Sequence, residues 1–175
     1  MALIKDRKPA HDRWQLLESG PEGALPSVPA TGDVIVPLAA WQAQRAALLA
    51  RSRDTGGLGV WLAGEHDPAA VAGDLEHFQV IAVHFPSFTD GRGYSTGRLL
   101  RQRYGWSGEL RAIGDVQRDQ LFYLARCGFD AFQLRDGVDV EVALQAFSDF
   151  SEAYQASVER PLPLFRRREV AGSRA

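Results

Sequence analysis

Cysteine, lysine and long apolar runs are what this chain lacks. Cys127 is the single cysteine among 175 residues. One thiol builds no intramolecular disulfide, no CxxC redox pair and no cysteine-bound iron–sulfur cluster, and it fits a reducing setting. No stretch approaches the roughly 20 apolar residues of a membrane span, and residues 1–13 carry no apolar segment of signal-peptide length. A soluble cytoplasmic protein without a membrane partner is therefore expected. Lysine occurs only at positions 5 and 8, every other basic residue being arginine. The net charge of −2 gives no reason to expect nucleic acid as a partner. Arginine forks suit carboxylate, phosphate or sulfate oxygens better than lysine does, so a small anionic ligand is a reasonable expectation.

Metal and nucleotide motifs are missing as well. His11, His66 and His77 fall in different segments, and no H-x-x-x-H pair exists. No Walker lysine and no G-x-S-x-G elbow occur. Gly91-Arg92-Gly93 has Thr96 where the dinucleotide G-x-G-x-x-G pattern needs its third glycine. The motifs thus name no cofactor, which leaves its identity open, and they support no metal site.

What is present is an alternation of apolar runs and helical patterns. Residues 1–32 are polar or rich in Pro and Gly and read as a poorly ordered segment, with a short edge strand at 13–17. Strands are expected at 33–38, 58–63, 80–85, 110–114 and 131–134. Helices are expected after residues 38, 67, 95, 115 and 139, with Asp67, Ser95, Asp115 and Asp139 as caps. The 140–154 helix has the cleanest amphipathic pattern, from Val140 to Tyr154. Gly105-Trp106 and Gly128-Phe129 read as matching helix endings. The fold class is α/β, one domain over 33–160, with a mostly parallel sheet of about five strands. Both an open doubly wound sheet and a partial (β/α) barrel fit. Residues 161–175 read as a mobile tail.

Chemistry concentrates after the strands' C-terminal ends, where such folds bind ligands. The run Thr89-Asp90-Gly91-Arg92-Gly93-Tyr94-Ser95 joins a strand to a helix. Its glycines allow backbone amides to approach an anion, with Arg92 or Arg98 supplying charge. Gly114-Asp115, Arg118 and Arg135-Asp136 belong to the neighbouring loops. His84, Arg111 and Gln133 each interrupt an apolar strand, and on one sheet face they would form a polar cluster. The anion-binding set is thus Thr89, Asp90, Gly91, Arg92, Gly93, Tyr94, Ser95, Arg98, Arg111 and Arg135. His84 and Asp115 are the candidate acid/base pair, against the plainer roles of a packed histidine and a helix cap. Cys127, at a helix C-terminus, reads as packed rather than nucleophilic.

The stretch from Phe85 to Leu134 resembles the bacterial family called domain of unknown function 934. The matching residues are Phe88 to Ser95, Arg98-Leu99-Leu100-Arg101, Gly108 to Ala112, Gly114-Asp115-Val116, Asp119-Gln120-Leu121 and Arg126 to Phe129. The resemblance implies a part in assimilatory sulfate and sulfite reduction, an oxidoreductase label, and the haem-containing subunit of sulfite reductase as a partner. It carries over no catalytic residues. The leading expectation is an accessory protein of sulfite reduction with an anion-accepting loop rim. The alternatives are an enzyme acting on a phosphorylated small molecule and a non-catalytic interaction module.

Overall fold

The computed structural model describes residues 2–51 and 55–172. Eight strands form one sheet in the order β2-β1-β8-β7-β6-β5-β4-β3. They are β1 (Ala2–Lys5), β2 (Lys8–Ala10), β3 (Trp14–Leu16), β4 (Asp33–Pro37), β5 (Leu58–Leu62), β6 (Val80–Phe85), β7 (Glu109–Gly114) and β8 (Ala131–Leu134). Strands β3 to β8 are parallel, each beside its successor. β1 runs antiparallel to both β2 and β8. The sheet therefore has more strands than the expected five, and not all are parallel.

Strand order decides between the two expected architectures. Parallel strands placed in chain order have no switch point, so right-handed crossovers put every helix on one face. The packing agrees. Leu38, Trp41 and Leu48 of α1 (Leu38–Leu49), Leu100 of α2 (Arg92–Gln102), Leu121 and Leu124 of α3 (Arg118–Arg126) and Ala143 of α4 (Val140–Gln145) share one core with Val34, Val60, Ile81, Leu110 and Phe132. The other sheet face forms a separate cluster of Ile35, Val80, Ala82 and Ile113 with Trp14, Leu16 and Trp61, and it contains no helix residue. The sheet is singly wound, which corrects the doubly wound alternative.

The bare face is protected by curling. β2 and β3 are opposite edges of the sheet, yet only residues 11–13 connect them. Four Cα steps reach about 15 Å, whereas eight flat strands would span roughly 33 Å. The edges must bend toward each other, and the result is a partial barrel with that connection across its open side. Asp12, in this connection, reaches Arg111 in mid-sheet: Nη1 of Arg111 donates to Asp12 Oδ2 at 2.8 Å. Arg111 Nε also donates to Glu109 Oε1 at 2.7 Å, and Lys5 Nζ donates to Glu109 Oε2 at 2.6 Å. Arg111 is only 2% exposed. A guanidinium that deep is tolerable only when carboxylates surround it.

On the outer face, helix α2 sits close to the sheet. A Cβ on Gly93 would lie 2.6 Å from the Phe85 ring, and one on Gly97 would lie 2.3 Å from the Phe129 ring. Four residues apart, these glycines share the buried side of the helix. Gly105 and Gly128 take φ of +67° and +103° at the two matching helix ends. Arg101 ties these ends together, donating to the carbonyls of Gly128, Trp106 and Gly108 and to Asp130 at 2.6–2.9 Å.

Two expected helices are shorter. Residues 67–79 form two 3-10 turns, Pro68–Val71 and Leu75–His77. Gly73 lies between them, where a helix interior is least favoured. Asp67 still caps the first, accepting from Ala69 N at 2.8 Å. α4 ends at Gln145 and passes into a 3-10 turn, Ala146–Ser148, where the Ser148 hydroxyl donates to the Gln145 carbonyl at 2.8 Å. Such local side-chain bonds compete with helix continuation. Residues 164–172 form α5 (Leu164–Gly172), and residues 173–175 of the expected tail lie outside the described residues.

Candidate functional site

The loops after β5, β6, β7 and β8 gather at the C-terminal rim of the parallel strands. β6 runs apolar to the buried Phe85 and enters the turn 86–91, closed by Asp90 N donating to Ser87 O at 3.1 Å. Asp90 then precedes α2. Its Oδ1 accepts from the backbone N–H of Arg92 at 3.1 Å and from Arg92 Nε at 3.0 Å, and its Oδ2 accepts from Arg92 Nη2 at 2.6 Å. These bonds from the side chain and then the backbone of Arg92 hold the Asp90 carboxyl down to about 2. Arg92 also approaches Glu65, in the loop after β5, at 3.6 Å. α2 starts at Arg92 rather than Thr96, with Gly91 as its N-cap, so the expected cap Ser95 is an exposed residue within the helix.

Asp115 joins the other loops. Gly114 precedes it with φ of +95°, and a Cβ there would lie 2.4 Å from Phe85 O and 2.8 Å from the His84 ring. Only glycine lets β7 end so close to β6. Asp115 N then donates to Phe85 O at 2.8 Å. Its carboxylate accepts from Phe88 N at 3.2 Å, from Gln117 Nε2 at 3.2 Å and from Arg135 Nη1 at 3.4 Å. One side chain thus links the loops after β6, β7 and β8. The cap of α3 is Gln117, in a capping box whose Gln120 Oε1 accepts from Gln117 N at 2.9 Å, so Asp115 is free of that role.

His84, Arg111 and Gln133 do share one sheet face. Register pairs His84 with Ile113, Ala82 with Arg111, and Gln133 with Leu3. They do not form one cluster. The His84 ring lies 5.8 Å from that of Trp61, while Arg111 is one pleat deeper with Asp12 and Glu109. His84 is close to Gly114 at the rim; Arg111 is inside the barrel.

A family model described as "Bacterial protein of unknown function (DUF934)" matches residues 59–165, more than half of the chain. The chain belongs to this family. No curated protein matches it. The DUF934 match opens in β5 and includes the whole rim, from Glu65 to Arg135. It leaves out β1 to β4 and the connection that carries Asp12.

The rim therefore brings together Thr89, Asp90, Gly91, Arg92, Asp115 and Arg135, with the Thr89 hydroxyl 3.3 Å from that of Ser87. Gly93 is under α2. Tyr94 is half-buried between Phe85 and Tyr123, with ring separations of 5.3 and 5.0 Å, and burial pushes its phenol pKa up. Arg98 is further along α2, on the side of Cys127, and is not at the rim. Glu65 is the rim residue that the sequence reading passed over, although it follows an expected strand just as Asp90 and Asp115 do. Exposed Phe88, 50% accessible, is the rim's apolar member. Five cavities lie elsewhere on the described surface, and none of these five is lined by His84, Arg92, Asp115 or Arg135. Among the described residues, no group of three or more His, Cys, Asp or Glu is placed to hold a metal ion, and no helix is long and apolar enough to cross a membrane.

Proposed function

We propose that this protein is an accessory component of assimilatory sulfite reduction, working in the cytoplasm beside the haem-containing reductase. Its rim is the recognition surface. The observation that carries this reading is the Asp115 junction, which fixes three loops into one exposed platform. A platform of this kind suits a partner's surface, or an anionic group presented on it, better than it suits a substrate that must be shut away from water. Arg92 and Arg135 are held by carboxylates, but both are exposed. Exposed pairs are weak enough for an incoming oxyanion to exchange with Asp90 or Asp115. The sulfite context comes from the family resemblance, and the exposed rim supports surface recognition as the manner of action.

The test is deletion of the gene, followed by growth on sulfate against growth on a reduced sulfur source, with sulfite reductase activity measured in extract. Impaired growth on sulfate alone is expected, restored by the wild-type gene and poorly by Asp115→Ala. Unchanged growth and unchanged reductase activity would remove this function. The runner-up, an enzyme acting on a phosphorylated molecule through His84 and Asp115, needs Arg111 at the same site, and Arg111 instead faces Asp12 and Glu109.

A further inference from the structure

Most arginines whose surroundings are described have a carboxylate within reach. Arg98 and Arg126 are among those with none within the described residues. Arg98 Nε donates only to its helix neighbour Gln102, at 2.8 Å. Arg126 Nη2 donates to the Gln155 carbonyl at 3.2 Å, and its Nε is buried with no acceptor. These two side chains, from α2 and α3, line one small cavity with Tyr123, Cys127, Gln155 and Ser157. No aspartate or glutamate lines it.

We infer that this cavity is a binding site for a compact oxyanion of the phosphate or sulfate type. Its volume is about 50 Å³. A space of roughly 10–15 Å³ already takes one water, so a group of a few heavy atoms fits. Two guanidiniums on different helices offer donors from two directions, which suits three or four oxygens better than the two of a carboxylate. Ser157 adds a hydroxyl. Its oxygen accepts from Arg160 N at 3.1 Å, which leaves its hydrogen to donate.

Two opposing effects are smaller. The site is beside the C-terminal end of α3, where the helix dipole contributes roughly half a negative charge. Two formal positive charges exceed it. Cys127 could have neutralised an arginine as thiolate, but burial pushes its pKa up, and Arg98 and Arg126 only partly oppose that. The thiol stays protonated and the arginines stay unneutralised.

The site stands independently of the rim, and so does its test. Isothermal titration of the full-length protein at low ionic strength uses inorganic phosphate, inorganic sulfate and phenyl phosphate. Saturable binding is expected, weakened at least tenfold in R98Q and in R126Q and unchanged in R103Q on the same helix. R98Q removes only a surface helix bond, so it stays informative even if R126Q folds poorly. Phenyl phosphate binding as well as or better than phosphate would assign the site to the terminal group of a larger molecule; preference for the inorganic ions would assign it to a free anion. No saturable binding by any of the three, or binding that R98Q leaves intact, would overturn the inference.

Discussion

Two chains of arginine and carboxylate run through this molecule, and they differ in what water can reach. Inside the curled sheet, Lys5, Glu109, Arg111 and Asp12 connect β1, β7 and the 11–13 connection. At the rim, Glu65, Arg92 and Asp90, and beside them Asp115 and Arg135, connect the loops. The chemistry is the same. Burial makes the inner chain irreplaceable in pieces, because removing one partner strands a charge in a medium that cannot solvate it. Exposure makes the outer chain exchangeable, since water and salt screen each pair. An arginine's role in this protein is therefore set by its depth more than by its partners.

The largest expected effect tests the inner chain. Arg111→Ala should lose about 3–5 kcal/mol in urea denaturation by leaving Glu109 and Asp12 without their guanidinium. The paired replacement Arg111→Met with Glu109→Leu should lose much less. If Arg111→Ala costs no more than Arg92→Gln, the contrast between the two chains is broken. Next comes the seat of the helix that carries the rim. Gly97→Ala places a Cβ 2.3 Å from the Phe129 ring, and a loss of about 1–3 kcal/mol is expected from thermal denaturation.

Asp115→Asn should cost about 1 kcal/mol, the scale of one net hydrogen bond, and should speed hydrogen exchange at the Phe88 amide. An unchanged exchange rate would deny Asp115 its joining role. The smallest effect belongs to Asp90. Its folded-state pKa of about 2 is below the unfolded value of about 3.9, so its stabilising contribution is full above about pH 4 and fades as pH falls through 2. Asp90→Asn should flatten the stability profile only in that acid window. A difference that persisted unchanged from pH 4 to pH 2 would point to another cause.

Local signals predicted much of this fold, and distant ones were silent. The strands from 80 to 134 and the two glycine endings were legible because apolar runs and left-handed glycines are properties of neighbouring residues. The β1–β2 hairpin was not, because its turn uses Asp6 and Arg7 at φ of +49° and +60°, where asparagine and glycine are the usual signal. Residues 140–154 overstated α4. Phe150 and Tyr154 continue its apolar spacing, yet they are 63% and 68% exposed beyond its end. Among site residues, Asp90, Arg92, Asp115 and Arg135 could be grouped from the strand-end rule alone. Arg111 read as a ligand group because its partner Asp12 is 99 residues away. Separation of that size leaves no mark on a local pattern.

The pairing of Ala2 with Leu134 has a consequence for the newly made chain. β1 leaves the ribosome long before β8 exists to receive it. Until β8 is complete, the N-terminal hairpin has no sheet edge to join, and Lys5 has no Glu109 to meet until β7 is made. The parallel strands β3 to β8 can add one after another as they emerge, each beside its predecessor. Closing the barrel by β1 is then a long-range step that waits for nearly the whole sheet. A nascent chain stopped before residue 131 should keep its first ten residues open to a protease, and release past residue 134 should protect them.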